Sequence, residues 1–372
     1  VLSVLHVYKN YAPTPGGIET HVRQLAIGLT RRGMRSTVLV TAAGRETVEE
    51  ELEGVRVIRA GRLGEVASTP LSLALVELLR TTPADLLHLH VPYPVGEIGY
   101  LLGGRDRPLV VTYHSDVVRQ WWAWPAYRPL IQRVLGRAKA IIATSPPYAR
   151  TSPILRSYSG RCEVIPLAVD PARFRVDGPR VAAIGGRWRS ERYPDLILSV
   201  GRFRSYKGLL DLIRAARGLP ARLLLIGSGP LEPELRRLVD RLGMQDQVVF
   251  LGNVDDAELP YYYAACDVFA LASSQRSEAF GIVLLEAMAA GRPVVSTELG
   301  TGTSWVNQHE VTGLVVRPSD PVALAGAIGA LLADPRRASE YGQAGRKRAE
   351  AEFGETALLA RMETVYRRVV GG

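Results

Sequence analysis

The chain has 372 residues, 47% of them hydrophobic, with 36 glycines, which excludes a disordered protein and fits two globular α/β domains. Two cysteines, Cys162 and Cys266, exclude a disulfide framework and suit a reducing compartment. Net charge is 46 − 37 = +9, no apolar run reaches the ~20 residues that span a bilayer, and the opening residues carry no signal-peptide pattern.

The first run, "VLSVLHVY", predicts a buried strand, and "KNYAPTPGG" predicts the loop that ends it. A helix should follow, because Ile18, Val22, Leu25, Ala26 and Leu29 recur at helical spacing and Gly33 can stop it. Then come "STVLVTA", "VRVIRA", "LLHLHVP", "LVVTYHS", "AIIATS" and "CEVIPLAVD", short β-rich runs with helical patterns between several of them. That alternation predicts a parallel sheet with helices on both faces.

Residues 173 to 195, rich in Arg, Gly and Pro, interrupt the rhythm and read as a linker. A second series starts after it: "LILSVGRF", "ARLLLIGSG", "VVFLGNV", "VFALAS", "PVVSTE" and "GLVVRP". The expected organisation is two doubly wound α/β halves, 1–190 and 191–354, followed by an amphipathic helix, "ETALLARMETVYRRVV", within 355–372. Ligands of open α/β sheets sit at the carboxyl ends of strands, so the loops after each strand are where chemistry is sought.

Charge is uneven. Residues 105 to 161 hold ten cations, including Arg119, Arg128, Arg133 and Arg137, against Asp106 and Asp116 only. Trp121, Trp122 and Trp124 lie among them. Basic residues mixed with tryptophan suit an anionic membrane surface or a phosphate-bearing partner. An ordinary solvated face is the competing reading.

Five places carry candidate chemistry. Gly16 and Gly17 precede the first helix, so backbone N–H groups there could meet an anion; a plain turn explains them equally. His114, in "VTYHSD", sits just past a strand end, where it could donate a hydrogen bond or simply be structural. Arg202 and Lys207, in "GRFRSYKG", share a strand-to-helix loop; two fixed cations there could neutralise a diphosphate, or be solvated. In "SEAFGIVLLEA", Glu278 lies in a loop, Gly281 marks the helix start, and Glu286 lies inside the helix. A fully helical path would separate the two carboxyls by ~12 Å at ~1.5 Å per residue, too far to share a proton or a metal. They read as grips on separate hydroxyls, against helix-terminus charge for Glu278 and a salt bridge for Glu286. Finally, Gly300, Thr301, Gly302 and Thr303 follow a strand end and leave backbone N–H groups open to phosphate oxygens.

Several chemistries have no motif. The chain lacks G-x-G-x-x-G, a Walker A loop, a G-x-S-x-G elbow, zinc-like spacing and a short acidic pair for Mg²⁺. Dinucleotide binding is therefore disfavoured.

Taken together, "SEAFGIVLLEA" resembles the E-x₇-E motif of retaining glycosyltransferase family 4, "GRFRSYKG" its G-R-x₄-K-G loop, and "PTPGGIETHVRQLA" its N-terminal glycine loop. The likeness covers nearly the whole chain in the right order. The tracts "TYHSDVVRQ" and "STELGTGTSWVNQ" look most like bacterial mannosyl- and rhamnosyltransferases of surface-polysaccharide assembly. The resemblance implies the GT-B fold: two Rossmann-like domains facing a cleft, with the last helix crossing back to the first. One departure is Glu310, which stands where the pattern leads one to expect glycine.

The resemblance also implies roles. Glu278 would bind the donor sugar, Glu286 the ribose, and Arg202 and Lys207 the diphosphate. Gly17 would approach the reacting centre beside Gly16, and His114 would contact the transferred sugar. Gly300, Thr301 and Gly302 would complete the phosphate site, with Gly281 beside it, and the base would lodge near Gly229 and Val254. The implied reaction moves a hexose, mannose from GDP-mannose first among them, to a saccharide or polyprenyl-diphosphate-linked acceptor, with no metal, no cofactor and no nucleic acid. It implies a cytoplasmic protein, peripheral on the inner membrane face through 105–161. A UDP-sugar-dependent transferase of the same fold and a non-catalytic nucleotide-sugar-binding subunit are the alternatives.

Overall fold

The computed structural model describes residues 1–14, 16–66, 69–116 and 124–371. Arg119, Trp121 and Trp122 of the basic segment lie outside the described residues. The chain divides into two compact units, Val1–Leu167 with Glu355–Gly372, and Ala168–Gly354.

The first unit holds β1 (Ser3–Val7), β2 (Arg35–Thr41), β3 (Val48–Leu52), β4 (Val55–Ala60), β5 (Gly64–Val66), β6 (Thr69–Leu71), β7 (Leu86–Val91), β8 (Leu109–Tyr113), β9 (Ala140–Ala143) and β10 (Cys162–Val164). Eight of these form one sheet in the order β10-β9-β8-β7-β1-β2-β4-β3, and β5 and β6 make a separate antiparallel pair. Within the large sheet only β3 runs antiparallel to its neighbour. Its "VEEEL" sequence explains both its place and its absence from the hydrophobic pattern: it is an edge strand, where charge is tolerated. Glu49 and Glu50 pair with Arg56 and Arg59 across the β3–β4 ladder.

The first helix spans Gly17–Arg31 and buries Val22, Leu25, Ala26 and Leu29, as the spacing predicts. Gly33 follows it at φ 86. The last helix, Glu355–Gly371, packs on this unit through Leu358, Leu359, Met362, Val365, Tyr366 and Val369. Gly28 lets it approach: a Cβ there would sit 2.5 Å from Leu359.

The second unit holds β11 (Asp195–Val200), β12 (Ala221–Ile226), β13 (Val248–Gly252), β14 (Val268–Leu271), β15 (Val294–Thr297) and β16 (Gly313–Val316). All pairings are parallel, in the order β13-β12-β11-β14-β15-β16. Chain order reverses between β11 and β14, which opens a crevice at their carboxyl ends. Ile197, Leu223, Leu225, Val268 and Val295 form the floor of the core beneath it.

The division falls at Leu167, not near residue 190. The stretch expected to be a linker includes helix Pro179–Trp188 and belongs to the second unit. Phe174 packs on Tyr263 with ring centroids 5.7 Å apart, and Arg189 pairs with Asp267 at 2.7 Å. Arginine-rich segments can pack through ion pairs and stems, which hydrophobic periodicity does not register.

Candidate active site

The crevice between β11 and β14 collects the motif residues of the second unit. After β11 the chain turns through Gly201 and Arg202 into the short 3-10 turn Ser205–Lys207. Gly208 then opens helix Leu209–Ala216 at φ 64. Only glycine fits there, since a Cβ would lie 1.8 Å from the Ala272 carbonyl oxygen. That contact locks the loop after β11 to the loop after β14. A small pocket opens at the crossover, lined by Gly201, Arg202, Phe203, Lys207 and Leu271 among others.

Lys207 and Glu278, assigned separate duties from sequence, meet in this crevice. Lys207 Nζ lies 2.6 Å from Glu278 Oε2, and both side chains are about nine-tenths buried, at 12% and 11% exposure. Burial opposes the ammonium charge, but the Glu278 carboxylate, together with Tyr206 and Glu286, outweighs it and holds the Lys207 pKa above its ordinary value. Ser273 Oγ also donates to Glu278 Oε2 at 3.0 Å. Both contacts use one oxygen, so Oε1 is outside them.

Glu286 sits one turn into helix Ile282–Ala289 and accepts a 2.6 Å hydrogen bond from the Tyr263 hydroxyl. Burial pushes its carboxyl up to about 7, against the opposing pull of Tyr263 and Arg173. Among the described residues it forms no ion pair, so the salt-bridge reading finds no partner. Gly281, at φ 79, caps this helix. The helix starts at Ile282, so the ~12 Å helical estimate holds only for its last part.

The tract 300–303 differs from expectation. Gly300 N–H donates to Glu298 Oε1 at 2.7 Å, and Gly302 N–H to the Ala279 carbonyl at 2.7 Å. Thr301 Oγ1 donates to the Glu278 carbonyl at 2.8 Å. The Thr301 and Gly302 contacts hold the Glu278 loop in place, and Gly300 N–H is taken by its neighbour Glu298, so neither glycine offers a free N–H group to a phosphate. Gly229 also has a packing duty: a Cβ would sit 2.5 Å from the Phe203 carbonyl oxygen. Beside it, Ser228 donates to Asn253 at 3.1 Å, which joins the Gly229 loop to the one bearing half-buried Val254.

Gly16, Gly17 and His114 lie in the first unit. Gly16 is the N-cap of the first helix and Gly17 its first residue. His114 follows β8 and is buried, with Nε2 3.1 Å from His90 Nδ1. It is part of a cluster drawn from β1, the first helix, β7 and the end of β8. Five of the six histidines, His6, His21, His88, His90 and His114, are buried together in this unit. His88 bonds Tyr366 at 2.6 Å and Thr112 at 2.7 Å, and His6 Nδ1 lies 3.4 Å from His90 Nε2. Burial lowers His6 and His21 to about 3 and holds His88, His90 and His114 well below the usual range, so the rings are neutral at pH 7. The alternation in "LLHLHV" was a usable signal: residues 88 and 90 must share a face of β7.

Residues 187–348 match the family model of glycosyl transferases group 1, and residues 15–173 match glycosyltransferase family 4. The chain is 38% identical to O-antigen chain mannosyltransferase C of Escherichia coli, over 98% of both chains. It is 37% identical to the D-rhamnosyltransferase WbpZ of Pseudomonas aeruginosa, over 95% of this chain and 91% of that one. It is 28% identical to a GDP-mannose-dependent alpha-(1-6)-phosphatidylinositol monomannoside mannosyltransferase of Mycobacterium tuberculosis, over 98% of both. Among solved structures, sucrose-phosphate synthase from Thermosynechococcus elongatus superposes with a TM-score of 0.84 at 25% identity, covering 100% of each chain. WaaG, a glycosyltransferase involved in lipopolysaccharide biosynthesis, gives 0.74 at 18% identity over 99% of this chain and 100% of that one. The chain therefore belongs to the family 4, group 1 glycosyltransferases and has the GT-B fold.

Proposed function

We propose that this glycosyltransferase moves mannose from GDP-mannose, with retention, to a saccharide acceptor, lipid-linked, in the assembly of a bacterial surface polysaccharide. The observation that carries the reading is the buried Lys207–Glu278 pair at the switch point, with Arg202 in the same loop. The names of the relatives, an O-antigen mannosyltransferase and a GDP-mannose-dependent enzyme, support the sugar and the nucleotide.

The chemistry follows from fixed charge. As the bond between the sugar C1 and the diphosphate oxygen breaks, negative charge grows on the leaving group. Arg202 and Lys207 stabilise it without moving a proton. The acceptor hydroxyl attacks C1 from the same face, and its proton passes to the departing phosphate oxygen. Glu278 Oε1 holds a hydroxyl of the sugar, and Glu286 a hydroxyl of the ribose. His114 contacts the transferred sugar, and no metal takes part in the transfer.

The acceptor's lipid places the reaction at the inner membrane face. Arg105, Arg128, Arg133, Arg137, Lys139, Arg150, Arg156 and Arg161 are exposed, and none forms an ion pair among the described residues. Such a surface suits anionic lipid. No helix among the described residues is long and apolar enough to cross a membrane.

The test is nucleotide protection. GDP should raise the melting temperature more than UDP, ADP or NAD. Equal protection by all four, or preference for UDP, overturns the GDP assignment; protection by NAD alone overturns the whole reading.

A further inference from the structure

The histidine cluster has the geometry of a ligand set. One ring nitrogen from each of His21, His90 and His114 lies within 4.8 Å of the other two. His90 Nδ1 and His114 Nε2 are 3.1 Å apart. Two nitrogens sharing a tetrahedral zinc at ~2.05 Å would stand ~3.3 Å apart, so this pair is already near the ligating separation. His21 Nδ1 is buried with no hydrogen-bond partner, a costly state for a polar atom that a cation would relieve.

One further observation points the same way. His90 Nε2 faces His6 Nδ1 at 3.4 Å, the outer contact that orients a metal-bound imidazole. A second triad, His6, His88 and His90, is equally close. There, however, both nitrogens of His88 are already bonded to Tyr366 and Thr112. In the first triad only the His90–His114 contact has to open, and His21 Nδ1 has no partner to lose.

We propose that His21, His90 and His114 form a binding site for a zinc-type divalent cation, with one coordination position left open. Imidazole donors favour zinc, nickel or copper over magnesium. An occupied site would hold His114 away from the sugar, so the cation acts as an inhibitor of transfer. That consequence rests on the proposed transfer reaction; the binding itself does not.

The full chain, stripped with a chelator and dialysed, is titrated with Zn²⁺ and with Mg²⁺ by calorimetry, and with Co²⁺ by visible absorption. One Zn²⁺ per chain, no Mg²⁺ heat and the strong bands of four-coordinate nitrogen-ligated cobalt are expected. His21→Gln should weaken zinc by about tenfold or more, whereas His309→Gln, in the second unit, should not. No zinc binding, a weak six-coordinate cobalt spectrum, cobalt–thiolate absorption from Cys162, or equal zinc affinity in His21→Gln and the parent each overturns the site. Should His21→Gln fail to fold by circular dichroism, the cobalt spectra of the parent and of His309→Gln decide. Zinc binding without inhibition removes only the consequence.

Discussion

Lys207 Nζ and Glu278 Oε2, 71 residues apart in sequence, form a 2.6 Å ion pair inside the crevice between β11 and β14. Breaking one side strands a charge. Lys207→Met should destabilise the chain by about 3 kcal/mol, because the Glu278 carboxylate keeps its burial and loses its cation. The double variant Lys207→Met/Glu278→Met should recover part of that loss, although neither protein should transfer sugar. Denaturant unfolding of the parent, Lys207→Met, Glu278→Met and the double variant measures this; additive losses would show that the two side chains do not interact.

The two glutamates should fail differently. Glu278→Ala should cut kcat by about a hundredfold, the scale of losing one electrostatic contact in a transition state, with little change in nucleotide affinity. Glu286→Ala should raise the Kd for the nucleotide diphosphate about tenfold, roughly 1.4 kcal/mol, with a smaller effect on kcat. Steady-state kinetics beside calorimetry with GDP separates the two, and equal patterns would contradict separate duties.

The loop lock has a sharp test as well. Gly208→Ala forces a Cβ against the Ala272 carbonyl oxygen at a left-handed φ of 64. The backbone must move, so stability should fall by about 2 kcal/mol or more and transfer should be lost. Wild-type melting and activity in this variant would mean that the two loops are not locked.

Much of this architecture was legible in the chain. Runs such as "LILSVG" and "VFALAS" are short, apolar and β-branched, and each forms the strand expected of it. The crevice followed from strand order and the rule for carboxyl ends. What the pattern could not carry was pairing at a distance. Nothing local joins Lys207 to Glu278, or His21 to His90 and His114. Edge strand β3 escaped because glutamates satisfied by arginines mimic a loop. The helix at 179–188 escaped for a related reason: its apolar residues Val181, Ile184 and Trp188 are only half-buried and stand among arginines and glycines, which read as a linker.

Buried titratable groups fix the direction of the pH dependence. Glu97 is 1% exposed, accepts from Tyr127 and the Tyr93 N–H, and burial pushes its carboxyl up to about 7. Its folded pKa exceeds its unfolded one, so its favourable contribution is full below about 4.5 and is lost as pH rises towards 7. His6 and His21, at about 3 when folded, do the reverse: their contribution is present above about 6.5 and lost as pH falls towards 3. Glu97→Gln should therefore compare better with the parent at pH 8 than at pH 5 in thermal melting. A difference that does not change with pH would contradict the assignment.

Anionic vesicles should bind the chain, and salt should weaken that binding. Replacing Arg128, Arg133 and Arg137, all exposed on helix Trp124–Arg137, by Gln should remove about 1 kcal/mol per residue near the surface. Co-sedimentation at rising salt reads this out. Salt-insensitive binding would place the contact elsewhere.

The central claim is retention on a donor held by Lys207 and Glu278. The most direct measurement is the anomeric configuration of the product formed from GDP-α-mannose, read by the one-bond C1–H1 coupling in NMR. The account predicts an α-linked mannoside, formed about a hundredfold more slowly when Glu278→Ala replaces the parent. A β-linked product, or undiminished transfer by Glu278→Ala, would contradict it.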